Sequence, residues 1–242
     1  MKMMRKRGCI TQSLSQRGSF QLSSVMTKSA IIPRLLDPGI VAILRADSSD
    51  QLVTVVEALA EGGVTAVEVT MTTPNALQVI TEVSARFAGS ILMGVGTVLD
   101  PETCRAAILA GAEFVVTPVT KPEVIRISNR YGKPIISGAF TPTECLLGYE
   151  SGADFIKLFP AEQLGPSYVR SVLAPLPMLQ IMPTGGVTPE TLGDYFRAGC
   201  VGVGAGSTLV SKEALKNHDF KAITKRAREF VAAVHAVRAG GR

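Results

Sequence analysis

The segment GIVAILRADSSDQLVTVVEALAEGGVTAVEVTM, residues 39–71, sets the pattern of the whole chain. Two short apolar runs rich in β-branched residues, 39–45 and 64–71, enclose a segment that begins with Ser and Asp and ends at Gly-Gly. Inside that segment, apolar side chains recur every three or four residues, at Leu52, Val55, Val56 and Leu59. Short β-branched runs are typical of buried strands, and this spacing is typical of an amphipathic helix. The segment therefore predicts a strand, a helix and a second strand.

The same unit repeats along the chain. Successive apolar runs start about 23 residues apart on average, which suits a strand followed by a helix. The eight runs are 39–45, 64–71, 90–97, 113–118, 133–138, 154–160, 180–186 and 201–207. They are apolar along their length rather than alternating, which indicates a parallel sheet covered on both faces. Eight units predict an α/β fold, a single (β/α)8 TIM barrel. The alternative is an open doubly wound sheet, whose GxGxxG motif does not follow the first run.

The positive charge of the chain is concentrated near its start. The formal net charge is +5, yet residues 1–36 hold seven of the 25 Lys and Arg and none of the 20 Asp and Glu. The rest carries 18 basic against 20 acidic residues, a balance that disfavours nucleic acid as a partner of the folded body. A hydrophobic fraction of 46% is too high for a disordered chain, and no uncharged apolar run reaches about 18 residues, so we expect no membrane span.

Residues 1–28 are basic, Ser-rich and free of acidic residues, and we predict an extension there, followed by the barrel domain over 29–242. This composition fits a disordered extension, a start codon assigned too early with Met26 as the true start, or an organelle transit peptide. Nucleic acid binding by the basic segment is a further alternative. The four cysteines lie far apart without a CxxC pair, which favours a reducing compartment, and we expect a cytoplasmic location.

The sequence contains few histidines that could serve in catalysis or in a metal site. The two histidines, His218 and His235, both lie near the C-terminus. Metal sites built from several histidines or from CxxC pairs are therefore disfavoured.

The sixth run holds a single lysine among apolar residues. Alternation along a strand places Phe155, Lys157 and Phe159 on one face, and Ile156 and Leu158 on the other. Since Ile and Leu suit the face that packs against helices, we expect Lys157 to point into the barrel. A buried ammonium costs several kcal/mol unless it is paired or gives up its proton, and a neutral amine adds to ketones to form a Schiff base. Lys157 is a candidate nucleophile, and a structural ion pair with a barrel carboxylate is the alternative.

The second run holds a single acid, Glu68, on the same face as Ala66 and Thr70. We expect it to point into the barrel, where it is the partner that an inward lysine requires. Glu68 fits either a counter-ion for Lys157 or a general acid and base whose pKa is raised by the cavity.

Other strand ends carry groups that bind anions. Arg45 closes the first run and Thr97 closes the third, and a guanidinium beside a hydroxyl suits a substrate carboxylate, although Arg45 alone also fits a salt bridge at the rim. The seventh and eighth runs end in PTGG (183–186) and GAGS (204–207). The loops after strands seven and eight are the usual phosphate site of such barrels, where glycines let main-chain N–H groups approach an anion. Glycines that serve only tight turns are the alternative.

Five motifs fall in order on the predicted strands: EVTMTTP (68–74), GVGTV (94–98), FIKLFPAE (155–162), PTGGV (183–187) and GAGSTLV (204–210). Together they resemble the family of 2-keto-3-deoxy-6-phosphogluconate (KDPG) and 4-hydroxy-2-oxoglutarate (KHG) aldolases, from about Ile40 to about Val234. The resemblance implies a metal-free class I aldolase on a (β/α)8 barrel, commonly a homotrimer, that needs no cofactor because its substrate forms a Schiff base with a lysine.

The resemblance also implies roles for individual residues. Lys157 is expected to form the Schiff base, and Glu68 to shuttle protons. Thr97 is expected to bind the substrate carboxylate together with Arg45, since Thr72 stands where many members have arginine. The phosphate is expected to bind Gly185, Gly186 and Ser207. Further pocket residues implied by the resemblance are Thr72, Pro118, Phe159 and Thr184.

We therefore expect cleavage of KDPG to pyruvate and glyceraldehyde 3-phosphate, and of KHG to pyruvate and glyoxylate. The galactonate epimer of KDPG is an alternative substrate. A phosphate-binding isomerase or epimerase, and a non-catalytic barrel that binds sugar-acid phosphates, are alternatives of other classes. The presence of both Lys157 and Glu68 favours the aldolase.

Overall fold

The computed structural model describes residues 26–45 and 51–240 and contains eight parallel strands. Their order in the sheet is β7-β6-β5-β4-β3-β2-β1-β8, and a parallel bridge between Thr184 and Gly204 joins the two end strands. The sheet therefore closes into the predicted (β/α)8 barrel. The strands are β1 (Ile40–Leu44), β2 (Ala66–Thr70), β3 (Leu92–Gly96), β4 (Phe114–Val116), β5 (Ile135–Ala139), β6 (Phe155–Leu158), β7 (Ile181–Pro183) and β8 (Val203–Ala205).

Helices follow the strands. Several begin at strong start signals: the side chain of Asp100 accepts a hydrogen bond from Thr103 N at 2.6 Å, and Thr141 and Glu144 form a capping box. The helices are α1 (Lys28–Leu36), α2 (Leu52–Glu61), α3 (Ala76–Arg86), α4 (Pro101–Leu109), α5 (Pro122–Arg130), α6 (Pro142–Glu150), α7 (Gly165–Leu173), α8 (Leu192–Arg197), α9 (Lys212–Lys216) and α10 (Phe220–Ala239). A short 3-10 turn spans Ala161–Gln163. No helix in these described ranges is long and apolar enough to cross a membrane.

Successive side chains along each strand point alternately into two hydrophobic cores, as a parallel barrel requires. On β6, Ile156 and Leu158 belong to the core between strands and helices, whereas Phe155 belongs to the core inside the barrel. This confirms the predicted facing of β6, and Val67 and Val69 show the same outward facing on β2. The inner core consists of Ile31, Leu35, Val41, Ala66, Leu92, Phe114, Val116, Ile136, Phe155 and Met182.

Helix α1 closes one end of the barrel, and the sequence analysis did not predict it. Its buried side chains Ile31 and Leu35 join the inner core beside Leu92 and Phe155, which are the first residues of their strands. Lys28 anchors the helix through an ion pair with Asp154 at 2.9 Å. The N-terminal end of the barrel is therefore filled, and the C-terminal strand ends are left to form the site. Of the predicted extension, residues 1–25 lie outside the described residues.

Candidate active site

A pocket lies on the barrel axis above the inner core. Most of its lining is apolar, and two charged residues and one hydroxyl stand out in it: Lys157, Glu68 and Thr184. The lining consists of Val41, Ile43, Glu68, Val116, Ile136, Lys157, Met182, Thr184 and Gly204. The two residues predicted to carry the chemistry, which lie on β2 and β6, are thus brought into one pocket.

Lys157 occupies the middle of β6, between Gly138 on β5 and Met182 on β7. Its side chain is buried, with 8% of the residue exposed, and its ammonium lies 5.3 Å from the centre of the Phe159 ring. Such a contact stabilises a cation weakly compared with a carboxylate partner. Among the described residues, Lys157 forms no ion pair with Glu68, although both line the same pocket.

Glu68 is the more deeply buried of the two, with 1% of the residue exposed. Burial raises the pKa of its carboxyl above the ordinary 4.5, while the charges of Lys157 and Arg45 lower that pKa in part. Its Oε1 has no hydrogen-bond partner among the described residues. A buried polar atom without a partner is uncommon and suits a group that exchanges a proton with a bound molecule.

The glycines of β3 make room for the Glu68 carboxyl. A Cβ built at Gly96 would lie 1.6 Å from Glu68 Oε1, so any larger residue there would force the carboxyl to move. Gly94, which is paired with Glu68 in the sheet, likewise makes room for the ring of Phe114. Sequence reasoning treated the GVGT motif as a threonine site and missed this requirement. Glycine inside a strand is itself a signal of close approach by another group.

Polar residues lie at the C-terminal ends of β1, β2 and β3, which form the mouth of the barrel above Glu68. They are Arg45, Thr70, Thr72 and Thr97. Arg45 directly follows β1 and is exposed, and its charge acts on the Glu68 carboxyl. Thr97 directly follows β3 with φ 56°, a left-handed conformation that a β-branched residue rarely adopts and that often marks functional sites. Thr72 is exposed, and its hydroxyl lies 3.0 Å from that of buried Thr70. Thr70, on the same face of β2 as Glu68, was not among the predicted site residues.

The predicted phosphate loops lie side by side. Gly185 and Gly186 have φ of 98° and 71°, left-handed values that favour glycine, and they follow Thr184 at its bridge to Gly204. Ser207 is exposed in the next loop, three residues after Gly204. Main-chain N–H groups and a hydroxyl from two neighbouring strand ends can therefore converge on one anion.

The remaining predicted pocket residues lie at the rim or in the wall. Phe159 is partly exposed above Lys157, and Thr184 is buried in the pocket wall. Pro118 is half-buried and its carbonyl group packs directly against Gly138, the β5 neighbour of Lys157. In residues 26–45 and 51–240, no three His, Cys, Asp or Glu residues form a group that could hold a metal ion.

The barrel strands and the residues that line the pocket fall within the part of the chain that matches a known family. The family model "Aldolase: KDPG and KHG aldolase" matches residues 31–226, which include all eight strands and both charged residues of the pocket. The chain belongs to this family. Its members are class I aldolases, and this chain is accordingly a lyase of that class.

Individual relatives of this KDPG and KHG aldolase family member cover most of its barrel. A 2-dehydro-3-deoxy-6-phosphogalactonate aldolase of Escherichia coli is 37% identical over 171 residues, 70% of this chain and 83% of the relative. A 2-dehydro-3-deoxy-phosphogluconate aldolase of Pseudomonas aeruginosa is 34% identical over 191 residues, 78% of this chain and 86% of the relative. A Legionella pneumophila KDPG aldolase, solved with pyruvate captured as a covalent carbinolamine, matches with a TM-score of 0.74 and 28% identity over 78% of this chain and 92% of that one.

Proposed function

We propose that this aldolase cleaves KDPG to pyruvate and glyceraldehyde 3-phosphate, with Lys157 as the Schiff-base lysine and Glu68 as the proton carrier. The observation that carries the proposal is that a single pocket holds one buried lysine and one buried carboxyl oxygen that has no hydrogen-bond partner among the described residues. The captured pyruvate adduct of the Legionella relative supports a covalent route.

The reaction begins with an addition to the substrate ketone. The neutral amine of Lys157 adds to C2, and the resulting carbinolamine loses its hydroxyl as water, with Glu68 supplying the proton directly or through a water molecule. The product is an iminium ion. A carboxyl whose pKa is raised by burial suits this step, because it holds its proton at a higher pH than an exposed glutamate does.

Cleavage then uses the iminium as an electron sink. Glu68, now a carboxylate, accepts the proton of the C4 hydroxyl, the C3–C4 bond breaks, and its electron pair forms an enamine with Lys157. Glyceraldehyde 3-phosphate leaves. Protonation of the enamine at C3 and hydrolysis of the imine then release pyruvate and restore the lysine.

The mouth residues would hold the two charged ends of the substrate. Arg45 and Thr97, at the ends of β1 and β3, are proposed to bind the carboxylate near Glu68. The loop residues Gly185, Gly186 and Ser207 are proposed to bind the phosphate at the ends of β7 and β8, the second of which is the neighbour of β1. These loops favour a phosphorylated substrate over KHG. The galactonate epimer remains a second candidate because the Escherichia coli relative is a phosphogalactonate aldolase.

We also propose that the enzyme assembles as a homotrimer in the cytoplasm, as the sequence analysis expected. Large apolar side chains are exposed beside the mouth and on α6, where they suit burial against another copy of the chain. They include Leu99, Val119, Phe140, Leu147 and Tyr149. Light scattering of the purified protein tests the assembly.

Reductive trapping tests the central assignment. The protein is incubated with pyruvate and borohydride, and intact mass and peptide mapping locate the adduct. We expect a reduced pyruvate adduct on Lys157 that is lost in Lys157→Ala. Lys133 provides a matched control, because it is also buried and its pKa is lowered by burial, but it lies just before β5 at the opposite end of the barrel. Lys133→Ala should still form the adduct. Folded protein that forms none would overturn the proposal and favour a non-catalytic binding barrel.

A further inference from the structure

The loops that follow β7 and β8 are joined by a hydrogen bond outside the pocket. Thr208 Oγ1 donates to the main-chain carbonyl of Val187 at 2.6 Å. Val187 directly follows Gly186, and Thr208 directly follows Ser207. The bond therefore joins the two residues that directly follow, in sequence, the proposed phosphate-binding residues of the two loops.

A guanidinium on α10 supports the same two loops. Arg226 Nε donates to the main-chain carbonyl of Thr208 at 3.1 Å, and its Nη1 lies 3.5 Å from a carboxylate oxygen of Glu190. Glu190 belongs to the loop after β7. Arg226 is itself oriented by Glu229, at 2.8 Å, and by the ring of Phe230, whose centre is 5.5 Å from the guanidinium carbon. One side chain of the outer helix layer is thus connected to both loops.

We propose that Thr208, supported by Arg226, is a positioning residue that sets the spacing of the two phosphate-binding loops. The inference rests on the proposed phosphate site and adds to it the hydrogen bonds that hold the two loops of that site together. The Thr184–Gly204 bridge fixes the strands below the loops, and the Thr208–Val187 bond fixes the loops themselves. Donors from two separate loops bind one phosphate well only when their spacing is held, because a displacement of about 1 Å weakens such contacts severely.

This role predicts a selective defect. A net hydrogen-bond contribution of about 0.5–1.5 kcal/mol corresponds to roughly a twofold to tenfold change in affinity. Loss of the Thr208 hydroxyl should therefore raise KM for a phosphorylated aldehyde by about this factor. The turnover of an unphosphorylated aldehyde should change little, because neither Thr208 nor Arg226 lines the pocket that holds Lys157 and Glu68.

The experiment compares Thr208→Val, which removes the hydroxyl at nearly constant shape, with Thr208→Ser, which retains it. Pyruvate is condensed with either glyceraldehyde 3-phosphate or glyceraldehyde, and kcat and KM are measured for each aldehyde. Thr224→Val is the matched control, because it removes a buried hydroxyl-to-carbonyl bond of 3.0 Å between Thr224 on α10 and Ala58 on α2, away from both loops. We expect Thr208→Val alone to lose preference for the phosphorylated aldehyde, while Thr208→Ser retains it.

Each other outcome contradicts a defined part of the reasoning. A wild-type enzyme that prefers the phosphorylated aldehyde, together with a Thr208→Val variant of unchanged preference, would overturn the positioning role and leave the phosphate site intact. A wild-type enzyme with no such preference, and no competitive inhibition by inorganic phosphate, would overturn the phosphate site as well. If Thr208→Val does not fold, Arg226→Met removes the second connection and must show the same selective rise in KM; an unchanged ratio would refute the proposal.

Discussion

Gly96 offers a sharp test of how Glu68 works, because it lies against the carboxyl without contributing any functional group. A methyl group at this position would be 1.6 Å from Glu68 Oε1, whereas real Cβ atoms essentially never approach another atom closer than 3.0 Å. In Gly96→Ala the carboxyl must therefore move by about 1.4 Å. Displacements of about 1 Å in a reacting group cost roughly a hundredfold in rate. We expect kcat for cleavage to fall by about that factor.

The assay separates positioning of Glu68 from the chemistry of Lys157. The rate of cleavage is assayed by coupling the release of pyruvate to a second reaction that reduces pyruvate. The borohydride adduct is measured on the same preparation over a long incubation. We expect Gly96→Ala to form the Lys157 adduct while its turnover collapses. Combining Gly96→Ala with Glu68→Asp, which withdraws the carboxyl by one methylene, should relieve part of the overlap at the carboxyl. Gly94→Ala is the control, because its methyl group meets the Phe114 ring at 2.2 Å instead.

Two results would refute this reasoning. A Gly96→Ala enzyme within about twofold of wild-type kcat would show that the location of the Glu68 carboxyl does not limit the reaction. A Gly94→Ala enzyme that stays folded and loses turnover as severely would show that any distortion of β3, rather than displacement of Glu68, causes the defect.

Further predictions concern pH and the two anion sites. Because burial raises the pKa of Glu68, its ionisation opposes folding: the stabilising effect of the protonated form is present below the ordinary 4.5 and is lost as pH rises through the raised value. Glu68→Gln should therefore raise Tm near neutral pH but not at about pH 4, and an equal Tm change at both would contradict the assignment. Arg45→Ala should raise the pyruvate KM in the aldol direction by roughly tenfold, from the loss of a charge-assisted bond, and an unchanged value would exclude Arg45 from carboxylate binding. Gly186→Ala should raise KM for glyceraldehyde 3-phosphate by roughly tenfold while sparing glyoxylate, since the new methyl group meets Glu162 at 2.6 Å and φ is 71°; steady-state kinetics with both aldehydes tests this.

The strands and the facing of their side chains could be predicted because they depend on local pattern. Alternation alone placed Lys157 and Glu68 inside the barrel, and the described structure confirms both positions. The placement of the two glycine-rich loops side by side also followed from strand number, since the fold assigns the loops after β7 and β8 to neighbouring positions.

Features that depend on distant partners could not be predicted in this way. The spacing of Ile31 and Leu35 fits a helix, but this segment follows a basic, Ser-rich stretch and contains Pro33. No local signal therefore shows that the segment forms a helix that fills the barrel end. The Thr208–Val187 bond joins residues 21 positions apart through one hydroxyl, and threonine in a loop is compatible with many roles. The fit between Gly96 and Glu68 likewise exists only once β2 and β3 are paired.

Helix α1, which fills the N-terminal end of the barrel, also determines the route by which molecules reach and leave the pocket. Within the described residues, Ile31 and Leu35 pack among the first residues of the strands, so the pocket is closed at that end and is reached from the C-terminal strand ends. In the proposed reaction, the aldehyde phosphate held by the loops at this end would leave before water reaches the imine on Lys157. The proposed reaction would therefore release the aldehyde phosphate first and pyruvate last. Because α1 closes the other end, the proposed enamine would lie in a space open toward the C-terminal strand ends, where it would meet either the returning aldehyde or a proton.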